Sequence, residues 1–298
     1  MYFATYLEDG KEKVGILTND SNKIIALTSI LGDNTPKTLV DFIADCNEET
    51  LNKVKGFIEN NEESIEEAVG LDTVKICAPI PQPKRNVICL GLNYKDHVEE
   101  SKRTLGKQIQ MPEAPVYFGK MASDIIGPMD DVNSHAGITT EIDYEVELAV
   151  IIGKEGINIP INEVEDYIFG YSILNDLSAR DLQKKHAQWI KGKSLDTFTA
   201  MGPYIVHKSQ LPMPVHLNLS CKVNDEIRQN SNTNNLIFDI PYIISNLSKG
   251  MTLKAGDIIA TGTPAGVGMG FNPPKYLKSG DVVTCSIEKI GELVNKIK

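Results

Sequence analysis

The chain has 298 residues, 41% of them hydrophobic, enough to bury a full core in one or two domains. Its formal net charge of −10 argues against nucleic acid as a partner, because phosphate recognition needs clustered lysine and arginine. No apolar run approaches the roughly 20 residues of a membrane span, and no basic stretch followed by an apolar one opens the chain, so neither a membrane anchor nor a signal peptide is expected.

Two short strands, residues 2–6 and 14–17, flank Glu8-Asp9-Gly10, a hairpin-turn signal, and a third strand is expected over 23–27. Residues 38–46 and 49–60 read as helices, the second amphipathic through Leu51, Val54 and Ile58, with Gly56 as its weak point. Nothing in this first unit assembles into a reactive site. Prolines at 79, 81 and 83 remove backbone donors and favour extended geometry. They mark a boundary between a small N-terminal α/β domain, residues 1–78, and a catalytic domain, residues 79–298. The five cysteines, Cys46, Cys77, Cys89, Cys221 and Cys285, are scattered without a Cys-x-x-Cys pair, which fits reduced thiols in a cytoplasmic protein.

Residues 86–90 form a buried strand that turns at Gly91 and Asn93 into a short helix. His97 and Glu100 then stand three residues apart on one helical face. A glutamate that accepts from one imidazole nitrogen leaves the other as a base for water; the plainer reading is a solvated pair. A strand over 115–120 and a polar loop over 134–140 follow.

The stretch from Asp143 to Gly153 reads as one strand. Alternation puts Asp143, Glu145 and Glu147 on one face and Val146, Leu148, Val150 and Ile152 on the other. Acids crowded on one side of a buried strand repel one another and are costly to desolvate. A hard cation such as Mg²⁺, Mn²⁺ or Ca²⁺ removes both problems, whereas an edge strand with a solvated acidic face needs no ion. A strand over 170–174 leads to Asp176, a third candidate ligand, with Arg180 four residues on as a holder of an anionic substrate. The alternative is a helix cap at Asp176 or Ser178 and a surface ion pair at Arg180. The irregular stretch from Trp189 to Ser194 carries Lys191 and Lys193, which either polarise a carbonyl beside a metal or are solvated. The remainder reads as strands over 204–206, 216–223, 258–261 and 282–287, with one helix over 240–248. The glycine-rich loop Thr261–Gly268 lacks the Gly-Lys-Ser/Thr ending of a phosphate loop. Its amides and Thr263 either hold a small carboxylate or make a plain turn. Many short strands and few helices predict an α+β chain, mostly β, with a roll or barrel-like core.

In order, the segments GLNYKDHVEES, PVYFGK, DYEVELAVIIGK, FGYSILNDLSARDLQ, KGKSLDTF and DIIATGTPAGVG resemble the fumarylacetoacetate hydrolase family, from about residue 85 to the end of the sequence. The first unit resembles the small leading domain of many bacterial members. The resemblance implies a mixed β-roll, a homodimer and a divalent ion, Mg²⁺ or Mn²⁺ with Ca²⁺ as a further option. By motif, Glu145, Glu147 and Asp176 would be its ligands, with Asp143 in a supporting position and Asp96 near a place where some relatives have a further ligand. Lys193 would contact a substrate carbonyl or carboxylate, and Arg180, Gln183 and Thr263 would line the pocket. His97 and Glu100 match the His-x-x-Glu dyad of the smaller acylpyruvase-like members, where such a pair activates water. The implied activity is metal-dependent hydrolysis of a carbon–carbon bond in an acylpyruvate or related 1,3-diketo acid through an enolate. The alternative is an isomerase or decarboxylase of 2-oxo or 2-hydroxy-dienoic diacids. A metal-binding scaffold without turnover is disfavoured, because the expected site residues are all present.

Overall fold

The computed structural model describes residues 1–60, 67–106 and 109–298. Tyr2–Glu8 and Lys11–Leu17 pair antiparallel around Asp9 and Gly10, whose φ values of 51° and 73° give the two-residue turn that matches strand twist. Among the described residues this hairpin belongs to a sheet of eleven strands. Its order is Val69–Gly70, Lys23–Ala26, Lys11–Leu17, Tyr2–Glu8, Thr199–His207, Ile168–Asp176, Val146–Ile152, Ile258–Ala260, Val87–Gly91 and Val116–Lys120, with Lys75–Ile76 added on Tyr2–Glu8. The pairing is antiparallel except where Ile258–Ala260 runs parallel to Val87–Gly91. A second sheet orders Glu226–Asn232, Asn218–Val223, Val282–Ile287, Gly291–Ile297 and Asp131–Val132. Neither sheet closes on itself, and the chain is the mostly β fold that its many short strands predict.

Val146–Ile152 is buried along its whole length because both faces are covered. Val146, Leu148 and Val150 pack with Leu219, Cys221, Val283 and Cys285 of the second sheet. Ala149 and Ile151 join Phe3, Ile16, Phe42 and Met201 in a core that also takes in the helix Leu39–Asp45. The N-terminal segment and the rest of the chain thus share one sheet and one apolar layer. Burial of each large aliphatic side chain contributes roughly 1.5–3 kcal/mol, so the strand that leads out of Glu145 is firmly held.

The structure departs from the sequence reading in three places. The stretch beginning at Asp143 is not one strand: Ile142–Asp143 pairs with Ser178–Ala179 as a separate ladder, and Val146–Ile152 starts afresh. Trp189–Ser194 is not irregular; Ile190–Lys193 makes a helical turn, and Gly192 is needed there because a β-carbon would lie 2.6 Å from Gln183 N and 2.8 Å from Ala179 O. The strands Glu226–Asn232 and Gly291–Ile297 carry too many polar residues to show an apolar alternation in the sequence; pairing places them, and in the second Leu293 and Ile297 reach the core.

Candidate metal centre and cavity

Glu147 pairs with Leu174 across the sheet, and the Asp176 N–H donates to the Glu145 carbonyl at 2.9 Å. Residues opposite each other on paired strands share a face. Asp176, the last residue of Ile168–Asp176, therefore joins Glu145 and Glu147. One carboxylate oxygen from each of the three lies within 4.8 Å of the other two, and all three residues are buried.

Their partners differ. Glu145 accepts from Arg180 Nη2 at 2.6 Å and Lys193 Nζ at 2.8 Å. Burial raises its proton affinity, but Lys193 and Arg180 outweigh that and hold the carboxyl well below its ordinary range. Asp176 accepts from Lys193 at 2.7 Å and from Lys120. Lys120 is fully buried and also donates to the carbonyls of Leu177 at 3.0 Å and Phe198 at 2.7 Å. Among the described residues, the one hydrogen bond to the Glu147 carboxylate comes from the Gly262 N–H at 2.8 Å. Burial, then the charges of Asp176 and Glu145, push the Glu147 carboxyl well above its ordinary range. Three buried carboxylates with no nitrogen or sulfur donors make a hard-cation donor set, and Glu147 is where positive charge is lacking. These residues fit a divalent ion.

Asp143 stands outside the cluster. It accepts from Arg180 Nε at 2.9 Å and from the Gly268 and Met269 N–H groups at 2.5 and 3.0 Å, so it braces the arginine against the loop. Arg180 also donates to Gln183 Oε1 at 2.9 Å, which leaves the NH₂ side of that amide for a ligand. Neither Asp176 nor Ser178 caps the helix Arg180–Lys185; Ala179 takes that position without a side-chain bond. Asp96 is exposed, accepts from the His97 N–H and does not reach the acid cluster.

His97 and Glu100 lie on the helix Lys95–Leu105 and are buried, not solvated. His97 Nδ1 is 3.1 Å from Glu100 Oε2, and Glu100 Oε1 accepts from the Gly266 N–H at 2.9 Å. With Nδ1 against the carboxylate, Nε2 is the nitrogen left for proton transfer. Thr263 donates its hydroxyl proton to the Val146 carbonyl at 3.0 Å and accepts from Gln229 Nε2 at 2.8 Å. Towards a ligand it offers a lone pair.

His97, Glu145, Arg180, Gln183, Lys193 and Thr263 line one cavity of about 310 Å³. Its apolar wall includes Leu90, Leu92, Phe118, Trp189 and Met269. Gly91 admits the Trp189 ring, since a β-carbon there would lie 2.8 Å from Cη2. Four contributors escaped the sequence reading. Lys120 is a lone lysine ending a strand, a pattern that reads as solvated. Gln229 and Asn93 are single amides whose role appears only through partners distant in sequence: Thr263 for the first, the Thr261 and Phe238 carbonyls for the second. Ser101, one helical turn after His97, lines the cavity with a buried hydroxyl that has no hydrogen-bond partner among the described residues.

The fumarylacetoacetate (FAA) hydrolase C-terminal family matches residues 86–298. Over 227 residues the chain is 51% identical to oxaloacetate tautomerase YisK of Bacillus subtilis, covering 76% of this chain and 74% of that one. A fumarylacetoacetate hydrolase structure from Exiguobacterium antarcticum matches with a TM-score of 0.80 at 38% identity, covering 100% of this chain and 99% of that one. Maleylpyruvate hydrolase from Sphingobium sp. SYK-6, solved with manganese(II) and pyruvate, matches with a TM-score of 0.77 at 28% identity, covering 100% and 98%. The buried carboxylate cluster, the adjoining cavity and these likenesses converge: the chain belongs to the fumarylacetoacetate hydrolase family.

Proposed function

We propose that this protein is a divalent-metal enzyme that interconverts the keto and enol forms of a short 2-oxo diacid of the oxaloacetate kind. The observation that carries the reading is one small cavity lined both by Glu145, a member of a carboxylate cluster short of positive charge, and by His97 of a buried His97–Glu100 pair. Likeness to an oxaloacetate tautomerase supports the substrate class.

Glu145, Glu147 and Asp176 would hold the ion. Bound there, Mg²⁺ or Mn²⁺ supplies Lewis-acid stabilisation of negative charge on the oxygens of a 2-oxo acid. The chain's own groups do the rest. Arg180 and the Gln183 NH₂ group orient the acid's carboxylate. Lys193 places an ammonium where the oxygen at carbon 2 gains charge. His97 Nε2 takes the proton from carbon 3 and passes it to the oxygen at carbon 2, or carries it back for ketonisation, and Glu100 steadies the imidazolium through Nδ1. Leu90, Phe118 and Trp189 keep bulk water from the transferred proton.

Carbon–carbon hydrolysis of an acylpyruvate is the second reading, and the His97–Glu100 pair favours it, since the same base takes a proton from water. Following the decay of enol-oxaloacetate with Mn²⁺, against pyruvate release from an acylpyruvate, separates the two. His97→Gln is expected to slow the productive reaction by about 10²-fold or more. An unchanged rate in that variant would overturn the role of the base in either reading.

A further inference from the structure

The loop Gly262–Gly270 gives three of its backbone N–H groups to three different parts of the site: Gly262 to Glu147, Gly266 to Glu100 and Gly268 to Asp143. Gly270, at the end of this loop, makes none of these bonds. Its φ lies outside the left-handed region, so the backbone itself has no need of glycine. What excludes a side chain is Glu100: a β-carbon on Gly270 would overlap Oε1 and Cδ of that carboxylate and lie 2.8 Å from Cγ. The missing side chain is thus the floor on which the base pair's carboxylate rests.

We propose that Gly270 is a positioning residue for the His97–Glu100 base. This rests on the proposed role of that pair. Glu100 can sit between the Gly266 N–H and His97 Nδ1 only while position 270 carries no β-carbon. The three atoms nearest to an alanine methyl there all belong to the flexible side chain of one glutamate, so the clash is relieved by moving that side chain. The displaced carboxylate loses the Gly266 N–H and its hold on Nδ1, and the imidazole loses its orientation. Within the carboxylate cluster the loop's one bond is Gly262–Glu147, at the far end of the loop from Gly270, so the cluster is untouched.

The test compares wild type, Gly270→Ala, Glu100→Ala and the double variant, each by kcat and KM for enol–keto conversion of oxaloacetate and by Mn²⁺ affinity from calorimetry. Gly270→Ala is expected to lower kcat by roughly 10- to 100-fold, with KM and Mn²⁺ affinity within about threefold of wild type. Glu100→Ala removes the group that the alanine methyl would strike. The double variant is therefore expected to be no slower than Glu100→Ala alone, an outcome a general packing defect cannot produce. Wild-type kcat in Gly270→Ala beside an impaired Glu100→Ala would overturn this inference alone, and so would losses that multiply in the double variant. Full activity of Glu100→Ala would remove the base assignment and the role of Gly270 with it.

Discussion

Replacing Glu147 by glutamine isolates what the carboxylate cluster is for. Glu147 is 1% exposed and holds one backbone donor, so its negative charge is poorly compensated. Glutamine keeps the shape and an oxygen for the Gly262 N–H, and it turns an NH₂ group towards Glu145 and Asp176. Without divalent ions, the variant should melt within a degree or two of wild type, or higher. With an ion at a hundred times its dissociation constant, wild type gains about 2.7 kcal/mol. At about 2–4 °C per kcal/mol this is a rise of about 5–10 °C. If losing one of three carboxylates weakens binding about a hundredfold, the same ion concentration stabilises the variant by only about 0.4 kcal/mol, a shift near 1 °C. Thermal melts of both proteins in EDTA, MgCl₂ and MnCl₂ measure these numbers directly. No shift of wild type with either ion, or an equal shift of Glu147→Gln, would refute the argument that these three side chains form a cation site.

Burial, reinforced by the Met1 α-amino group and Lys208, lowers the His207 imidazole from 6.5 to about 4. The unfolded chain takes up this proton first as pH falls, so stability is complete above pH 6.5 and about 3 kcal/mol of it is lost towards pH 4; urea midpoints across that range should show a slope that His207→Gln lacks, and equal slopes would contradict it. Lys120→Met strips a donor from Asp176 and from the Leu177 and Phe198 carbonyls, and should cost about 3–5 kcal/mol in chemical denaturation, whereas a loss below about 1 kcal/mol would show that the lysine is dispensable. Lys193→Met should tighten Mn²⁺ binding in calorimetry while slowing turnover, because the ammonium that contacts Glu145 and Asp176 competes with a cation for the same oxygens; weaker binding would count against that competition.

The parts of this site legible in the sequence are those that a local period reveals. Alternation put Glu145 and Glu147 on one face, and helical spacing put His97 and Glu100 together; both pairs stand so in the structure. Alternation also placed Asp143 with them, and there it failed. The chain leaves the strand path at Tyr144 to satisfy Arg180 and two loop amides, a demand set by residues some 40 and 125 positions away. For Asp176, Arg180 and Lys193 the residues alone offer a functional and a plain reading side by side, and the family resemblance favours the first, since their convergence depends on strand pairing that no local pattern encodes. Lys120, Gln229 and Gly270 lay beyond reach for the same reason. A lysine, an amide or a glycine acquires its role only from a partner on another segment, and each taken alone has a commoner explanation at the surface or in a turn.

The division of labour among the donors follows from what each donor can do. Backbone amides of the loop Gly262–Gly270 hold Glu147, Glu100 and Asp143 in place without adding a full charge, which leaves room beside them for a cation, the His97 ring and the Arg180 guanidinium. Fixed amides also neither titrate nor move with the ligand. The ammonium of Lys193 behaves differently: it sits between Glu145 and Asp176 and must release at least one of them if an ion is to take both. That release frees a positive group beside the very oxygens a 2-oxo acid would bring. A loop of fixed dipoles around one exchangeable lysine thus keeps the acids assembled in the absence of substrate and leaves a single charge to be redeployed when substrate arrives.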